Sequence, residues 1–255
     1  MEAWFISDIH LKSDQERNGQ VLLRFLHFLK THSKPGDHLF LLGDIFDLWI
    51  GKHQVFYEMY PHIVEALKEL KAHGMKLIFV EGNHDVHIDG FFKDKLGMDV
   101  FVEAQIYQLN GLNVRVEHGD LINLEDLAYL RYRSFIRQGW MKFLANVLPG
   151  RFWKNLGLKA SAKSRQHSSQ YRAEKESEIL GYIRNHAHKI AVENKVDAVV
   201  SGHMHVFDDY IVTSNVRELR SFNLGSWLGP EIKVLKLKEQ TWSWHSLYPV
   251  SDLLD

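Results

Sequence analysis

Five short apolar runs in this chain each end directly in residues of the kind that bind metals or carry protons. They are "AWFI" before Ser7-Asp8-Ile9-His10, "HLFLL" before Gly43-Asp44, and "KLIFV" before Glu81-Gly82-Asn83-His84-Asp85. The other two are "NVRVE" before His118-Gly119-Asp120 and "DAVV" before Ser201-Gly202-His203-Met204-His205. Short apolar runs bounded by Gly and polar residues read as buried strands. Helical spacing separates the first three: Val21, Leu22, Phe25, Leu26 and Leu29, then Ile63, Val64, Leu67 and Leu70, with Pro61 at the start of the second helix. Strand and helix alternation predicts an α/β protein with many parallel strands, whose functional groups gather at the carboxyl ends of those strands. All five polar clusters fall there.

The clusters read D-x-H, G-D-x-x-D, G-N-H-D, H-G-D and G-H-x-H. Asp8 and His10, two apart at one strand end, can chelate one ion, and His203 and His205 repeat the spacing. Asp44, Asn83 and His118 complete a set of O and N donors, which suits Mn, Fe, Zn or Co. Seven ligands are too many for one ion and suit two, with Asp44 offering two oxygens as a bridge. Paired divalent ions clamp the attacking and leaving oxygens of an in-line displacement at phosphorus. The chain has no cysteine, so disulfides and thiolate metal sites are excluded. Singly, each motif is equally well a polar turn closing a strand.

In this order the five motifs resemble the calcineurin-like metallophosphoesterase family, from Asp8 to His205. The resemblance implies a four-layer αββα sandwich of two mixed sheets. It implies that Asp8, His10, Asp44 and His205 hold one metal and that Asp44, Asn83, His118 and His203 hold the other, with Mn²⁺ the first expectation. His84 would stabilise the transition state or protonate the leaving oxygen. Asp47, Asp85 and Asp120 are expected to orient neighbouring groups, and the other eleven of sixteen histidines, His87 and His245 included, are expected to be surface or core residues.

After Val206 the pattern turns to strands, "DYIVT", "LRSFNLGSW", "IKVLKLKE" and "TWSWHSL", read as a second set packing on the first. The chain reads as one domain, 1–255, interrupted at about 124–195 by a helical cap. From Leu127 to Arg172 there are ten Lys/Arg and no Asp or Glu, so with an overall charge of −1 the remainder carries −11. Large aromatics accompany the basic residues, among them Tyr129, Tyr132, Phe135, Trp140 and Phe143. The pattern "WMKFLANVLPGRFWKNLGL" puts Trp140, Phe143, Leu144, Val147 and Leu148 on one helical face. A helical hairpin packed on the core would explain this, but a basic, apolar cap also suits an anionic amphiphile or an anionic membrane surface.

That cap, with "LGDIFDLWIG" and "HGDLINLEDLAYLRYR", makes the chain similar to the family branch that cleaves UDP-2,3-diacylglucosamine in lipid A synthesis. The resemblance implies hydrolysis of its pyrophosphate to UMP and diacylglucosamine 1-phosphate. Substrate contacts are expected from Asp126, Tyr129, Ser161, Ser164 and Arg165. Some members of the branch carry Arg at the position of His84, which is the general family residue. The alternatives are a related phosphodiesterase or phosphatase acting on a nucleotide or another lipid headgroup, and a scaffold without catalysis, for which ligands would be missing. Partners are expected to be an anionic lipid-linked nucleotide sugar or similar phosphoester and the membrane surface, not nucleic acid. With no basic, apolar leader at "MEAWFISDIH" and no run of ~18–20 apolar residues, the expected location is cytoplasmic, peripheral at the inner face of the membrane.

Overall fold

The computed structural model describes residues 1–193, 195–213 and 218–253, and within them the side chains outside 158–174 and 193. The expected sandwich forms. The first sheet runs β13 (Thr241–Tyr248), β12 (Ile232–Lys238), β1 (Glu2–Ile6), β2 (His38–Leu41), β4 (Lys76–Val80), β6 (Asp99–Phe101). From β1 to β6 the neighbours are parallel, and β12 and β13 pair antiparallel. The second sheet runs β10 (Phe207–Thr213), β11 (Glu218–Leu224), β9 (Ala198–Ser201), β8 (Leu112–Val116), β7 (Gln105–Leu109), parallel at its centre and antiparallel at its edges. Outside both sheets β3 (Trp49–Ile50) pairs in parallel with β5 (Asp85–Val86), and α2 (Gln54–Tyr57) and α4 (Asp89–Phe92) are single helical turns.

The strand runs are continuously apolar because both faces are buried. Ala3, Phe5, Phe40, Ile78 and Val80 point between the sheets and meet Val114, Val116, Ala198, Val200 and Phe222. Their neighbours Trp4, Ile6, Leu39, Leu41, Leu77 and Phe79 point the other way, onto α1 (Arg17–His32) and α3 (Pro61–His73). All the apolar positions read from helical spacing in α1 and α3 are buried, Pro61 sits in the first turn of α3, and Gly74 closes that helix at φ 100°. That is the left-handed C-terminal stop glycine favours.

The region 124–195 holds α5 (Leu127–Ile136), α6 (Gly139–Val147) and α7 (Gly150–Glu193), the last broken at Lys175 (φ −131°, ψ 23°). Two expectations change here. First, the C-terminal part of α7 belongs to the sandwich: Ala187, Ile190 and Ala191 pack on Val199, Val212 and Leu219 as the outer layer of the second sheet. Second, the apolar face expected on α6 is divided. Leu144 and Leu148, with Met141, pack on the core, whereas Trp140, Phe143 and Val147 are exposed by 47%, 64% and 61%. Residues at i, i+3 and i+7 form one stripe, and this nearly all-apolar helix carries two. Among the described residues no helix is long and apolar enough to cross a membrane.

Candidate metal centre and its cap

The five polar clusters meet at one edge of the sandwich. Asp8 and His10 follow β1, Asp44 follows β2, Asn83 and His84 follow β4, His118 follows β8, and His203 and His205 follow β9. Asp8, His10, Asp44, His203 and His205 all have φ between 52° and 65°. Non-glycine residues in this left-handed region carry strain and gather at functional sites. Small neighbours let the turns close: a Cβ on Gly82 would strike Asp44 Oδ1, and one on Gly202 would strike Asp8 Oδ2.

Three groups of donors converge, each within 4.8 Å: Asp8, His10, Asp44 and His205; Asp44, His118 and His203; and His10, Asp47 and His84. Asp44 joins the first two, its Oδ2 3.9 Å from His10 Nε2 and its Oδ1 3.8 Å from His118 Nε2. Asn83 joins the second group through Oδ1, 3.1 Å from His203 Nδ1 and 3.3 Å from His118 Nε2.

His118 Nδ1 lies 2.8 Å from the Leu42 carbonyl, and donating its proton there leaves Nε2 as a bare acceptor. That nitrogen faces His203 Nδ1 at 3.2 Å and the Asn83 oxygen at 3.3 Å, so two acceptors, His118 Nε2 and Asn83 Oδ1, point at one another. His10 Nε2 and His205 Nε2 face each other at 3.1 Å, with Asp8 Oδ1 3.0 Å from His205 Nε2. A cation in each space satisfies such donor sets; the residues fit divalent metals with N and O ligands.

The electrostatics of the metal-free groups differ from one to the next: burial raises Asp8, and although burial lowers His118, the charges of Asp44, Asp8 and Asp120 outweigh it and raise that imidazole. Burial pushes His10 down to about 4, so it presents a neutral imidazole. Burial likewise lowers His203, with His118 adding to it. Asp44 lies far below the usual carboxylate range: burial opposes this, but His84, His118 and His10 outweigh it. Asp85 behind it is pushed up to about 7 by burial and by the charge of Asp44.

The groups expected to orient neighbours differ in what they touch. Asp85 accepts the backbone N–H of Gly82 at 2.7 Å and of Ile45 at 2.8 Å. Asp120 accepts Tyr129 Oη–H at 2.9 Å and Arg133 Nε–H at 2.6 Å. Asp47 sits closer in than expected, its carboxylate in the group with His10 and His84, while its carbonyl lies 2.9 Å from His84 Nδ1. The His84 ring stands edge-on to His10, centroids 4.8 Å apart.

Of the expected substrate contacts, Tyr129 lies at the site, its ring 5.3 Å from that of His203. Asp126 is exposed and caps α5, accepting the Tyr129 backbone N–H at 2.9 Å. The side chains of Ser161, Ser164 and Arg165 lie outside the described residues. His87, left to the surface or core, is buried with Nε2 2.7 Å from the Ile136 carbonyl.

Reading from sequence missed Arg133, Arg137 and Glu81. Arg137 pairs with the Glu81 carboxylate and donates to the Gly82 carbonyl at 2.8 Å, tying α5 to the loop that carries Asn83. The i, i+4, i+8 spacing of Tyr129, Arg133 and Arg137 marks them as one face of α5, though not which loops that face meets.

Residues 1–207 match the model of the calcineurin-like phosphoesterase family. The chain is a calcineurin-like phosphoesterase. It is a metal-dependent hydrolase, and the clustered His and Asp side chains are its candidate donors for divalent ions. The phosphoesterase is 28% identical to the UDP-2,3-diacylglucosamine hydrolase of Histophilus somni over 236 residues, 92% of this chain and 96% of that protein. It is 30% identical to the protein of the same name from Photobacterium profundum over 229 residues, 89% of each.

Proposed function

We propose that this phosphoesterase hydrolyses the pyrophosphate of UDP-2,3-diacylglucosamine, with water entering and UMP and 2,3-diacylglucosamine 1-phosphate leaving. The observation that carries the reading is the similarity, over about nine-tenths of both lengths, to proteins bearing that hydrolase name. Asp8, His10, Asp44 and His205 would hold one ion and Asp44, Asn83, His118 and His203 the other, Mn²⁺ first, with Fe, Zn or Co as alternatives. When bound, the pair supplies Lewis-acid polarisation of the phosphoryl oxygens and an activated water.

The remaining steps belong to the chain. His84, held by the Asp47 carbonyl beside His10, stabilises charge on the transferring phosphoryl group or protonates the leaving oxygen. Tyr129 approaches the centre from the cap. On the outer face of α5, Leu127, Leu130, Arg131, Ser134, Phe135 and Gln138 line an open groove of about 340 Å³, apolar with basic and polar edges. Such a lining suits acyl chains leading to a charged headgroup. The exposed Trp140, Phe143 and Val147 with the basic surroundings of the cap support contact with an anionic membrane surface, a reading that vesicle flotation tests.

Purified protein with Mn²⁺ should release UMP from UDP-2,3-diacylglucosamine. Good turnover of simple phosphodiesters without UMP release from that lipid replaces this reading with a broader phosphodiesterase.

A further inference from the structure

Helix α5 has two unlike faces. Its outer face lines the groove, and its inner face carries Tyr129, Arg133 and Arg137, one turn apart each. Those three side chains grip two loops. Tyr129 and Arg133 converge on one oxygen of Asp120, two residues beyond His118, and Arg133 continues to Glu103 at 3.2 Å. Arg137 takes the Glu81 carboxylate and the Gly82 carbonyl, while the other oxygen of Glu81 accepts the Ile88 N–H at 2.8 Å. The loop from Glu81 to Ile88 is therefore closed on itself and fastened to the end of α5, with His87 bonded to the Ile136 carbonyl as a further tie.

The Gly82–Asn83 peptide shows what this achieves. Its carbonyl accepts Arg137 at 2.8 Å, and its N–H, that of Asn83, donates to Asp44 Oδ1 at 2.8 Å. Both ends of one peptide plane are thus fixed, between the cap and the bridging carboxylate. The Arg137–Glu81 pair is buried, 10% and 2% exposed at the side chains, so it is shielded from solvent, and the guanidinium is divided between the carboxylate through Nη1 and the Gly82 carbonyl through Nη2. The two gripped loops carry Asn83 and His118, both in the group proposed to hold the second ion. Asp8 and His10 come from the end of β1, on the other side of Asp44.

We propose that Arg133 and Arg137 are positioning residues for the second metal half-site, so that seating of the cap helix α5 and affinity for the second ion are one coupled property. This rests on the ligand assignment above and not on the identity of the lipid substrate. Coupling is reciprocal: filling the second half-site tightens α5 onto the sandwich, and loosening α5 weakens the second ion.

The test uses the full chain, stripped with chelator and refilled with Mn²⁺ alone, followed by titration calorimetry and hydrogen exchange. Wild type should bind two ions, with amides of 81–88 and α5 gaining protection on the second. Arg137→Gln should keep the first affinity and weaken the second about 10–100-fold, the usual effect of removing a partner behind a ligand. Arg137→Lys, which keeps the charge and loses the fork, should fall between them. Arg131→Gln, on the outer face, should leave both affinities alone. Equal weakening of both ions in Arg137→Gln, an unchanged second affinity, or a second ion that does not protect α5 overturns the proposal. If Arg137→Gln does not fold, Arg133→Gln carries the same expectation through Asp120. The readout needs no substrate, so failure of UMP release and failure of the coupling are separate results.

Discussion

Asp85 holds Asp44 by its backbone: its buried carboxylate accepts the Asp44 N–H at 3.1 Å through Oδ1 and the neighbouring Ile45 N–H at 2.8 Å through Oδ2. Oδ1 also takes the Gly82 N–H at 2.7 Å. One side chain thereby fixes the turn after β2 against the turn after β4. In Asp85→Asn, either orientation of the amide sets an NH₂ against a backbone N–H. Stability should fall by about 1–3 kcal/mol through the unsatisfied donor, and Mn²⁺ affinity by about 10–100-fold. Thermal melts and metal titration read the two effects.

His84 is expected to act on the substrate and not on the ions. His84→Ala should lower kcat by roughly 10²–10⁴-fold, the range for a lost general acid or charge stabiliser, while two ions per chain are retained. Elemental analysis beside steady-state kinetics separates this from loss of metal. A variant that loses an ion would instead make His84 part of the coordination.

Removal of the metals gives a sharper division. Chelation should abolish phosphoester hydrolysis and added Mn²⁺ should restore it, whereas in Asp44→Ala restoration should fail at every metal concentration tried. Asp44 lies 3.9 Å from His10 and 3.8 Å from His118, so its loss removes an oxygen from both groups at once. Recovery of Asp44→Ala at high Mn²⁺ would show that the two groups hold ions without a bridge.

The outer face of α5 should govern lipid substrates alone. Leu127→Ala and Phe135→Ala each remove an apolar wall of the groove and should raise KM for a diacylated substrate about 10-fold. Turnover of a soluble aryl phosphodiester should stay unchanged. An equal loss for both substrates would assign these residues to cap packing.

Acid should weaken the fold through His38, far from the metal centre. Burial, with Lys76 adding to it, lowers the affinity of this imidazole for a proton, against the pull of Asp37. The unfolded chain binds that proton near pH ~6.5, so the stabilisation is complete above this pH and is lost as pH falls below it. The loss is at most about 1.4 kcal/mol per pH unit. Denaturant melts between about pH 7 and 5 should show a shallower acid slope for His38→Gln than for wild type.

What was legible in the sequence follows the reach of local physics. The helical spacing of Val21 to Leu29 and of Ile63 to Leu70 reports one buried face, and both helices form as read. The five turns were legible because an apolar strand buried on both faces cannot continue into Asp, His and Gly. The cap was read less well. Trp140 and Leu144 have the same apolar character, and only the packing of α6 on the core decides that one is exposed and the other is not. Lys175 breaks α7 without Pro or Gly to announce it, so the change from cap to outer layer was invisible. Arg137 and Glu81 are 56 positions apart, and nothing local in either position announces the pairing.

The chain has no cysteine, yet the centre joins its two sheets at a single point. His10 follows a strand of the first sheet and His205 a strand of the second, and their ring nitrogens stand 3.1 Å apart across 195 positions of sequence. An ion held by both, as proposed, would close a loop of that length, and the entropy withdrawn from the unfolded chain grows with the logarithm of the loop. Such an ion would be a reversible staple as well as a reagent. Its removal should speed unfolding where the two sheets meet before it disturbs the pairing within either one.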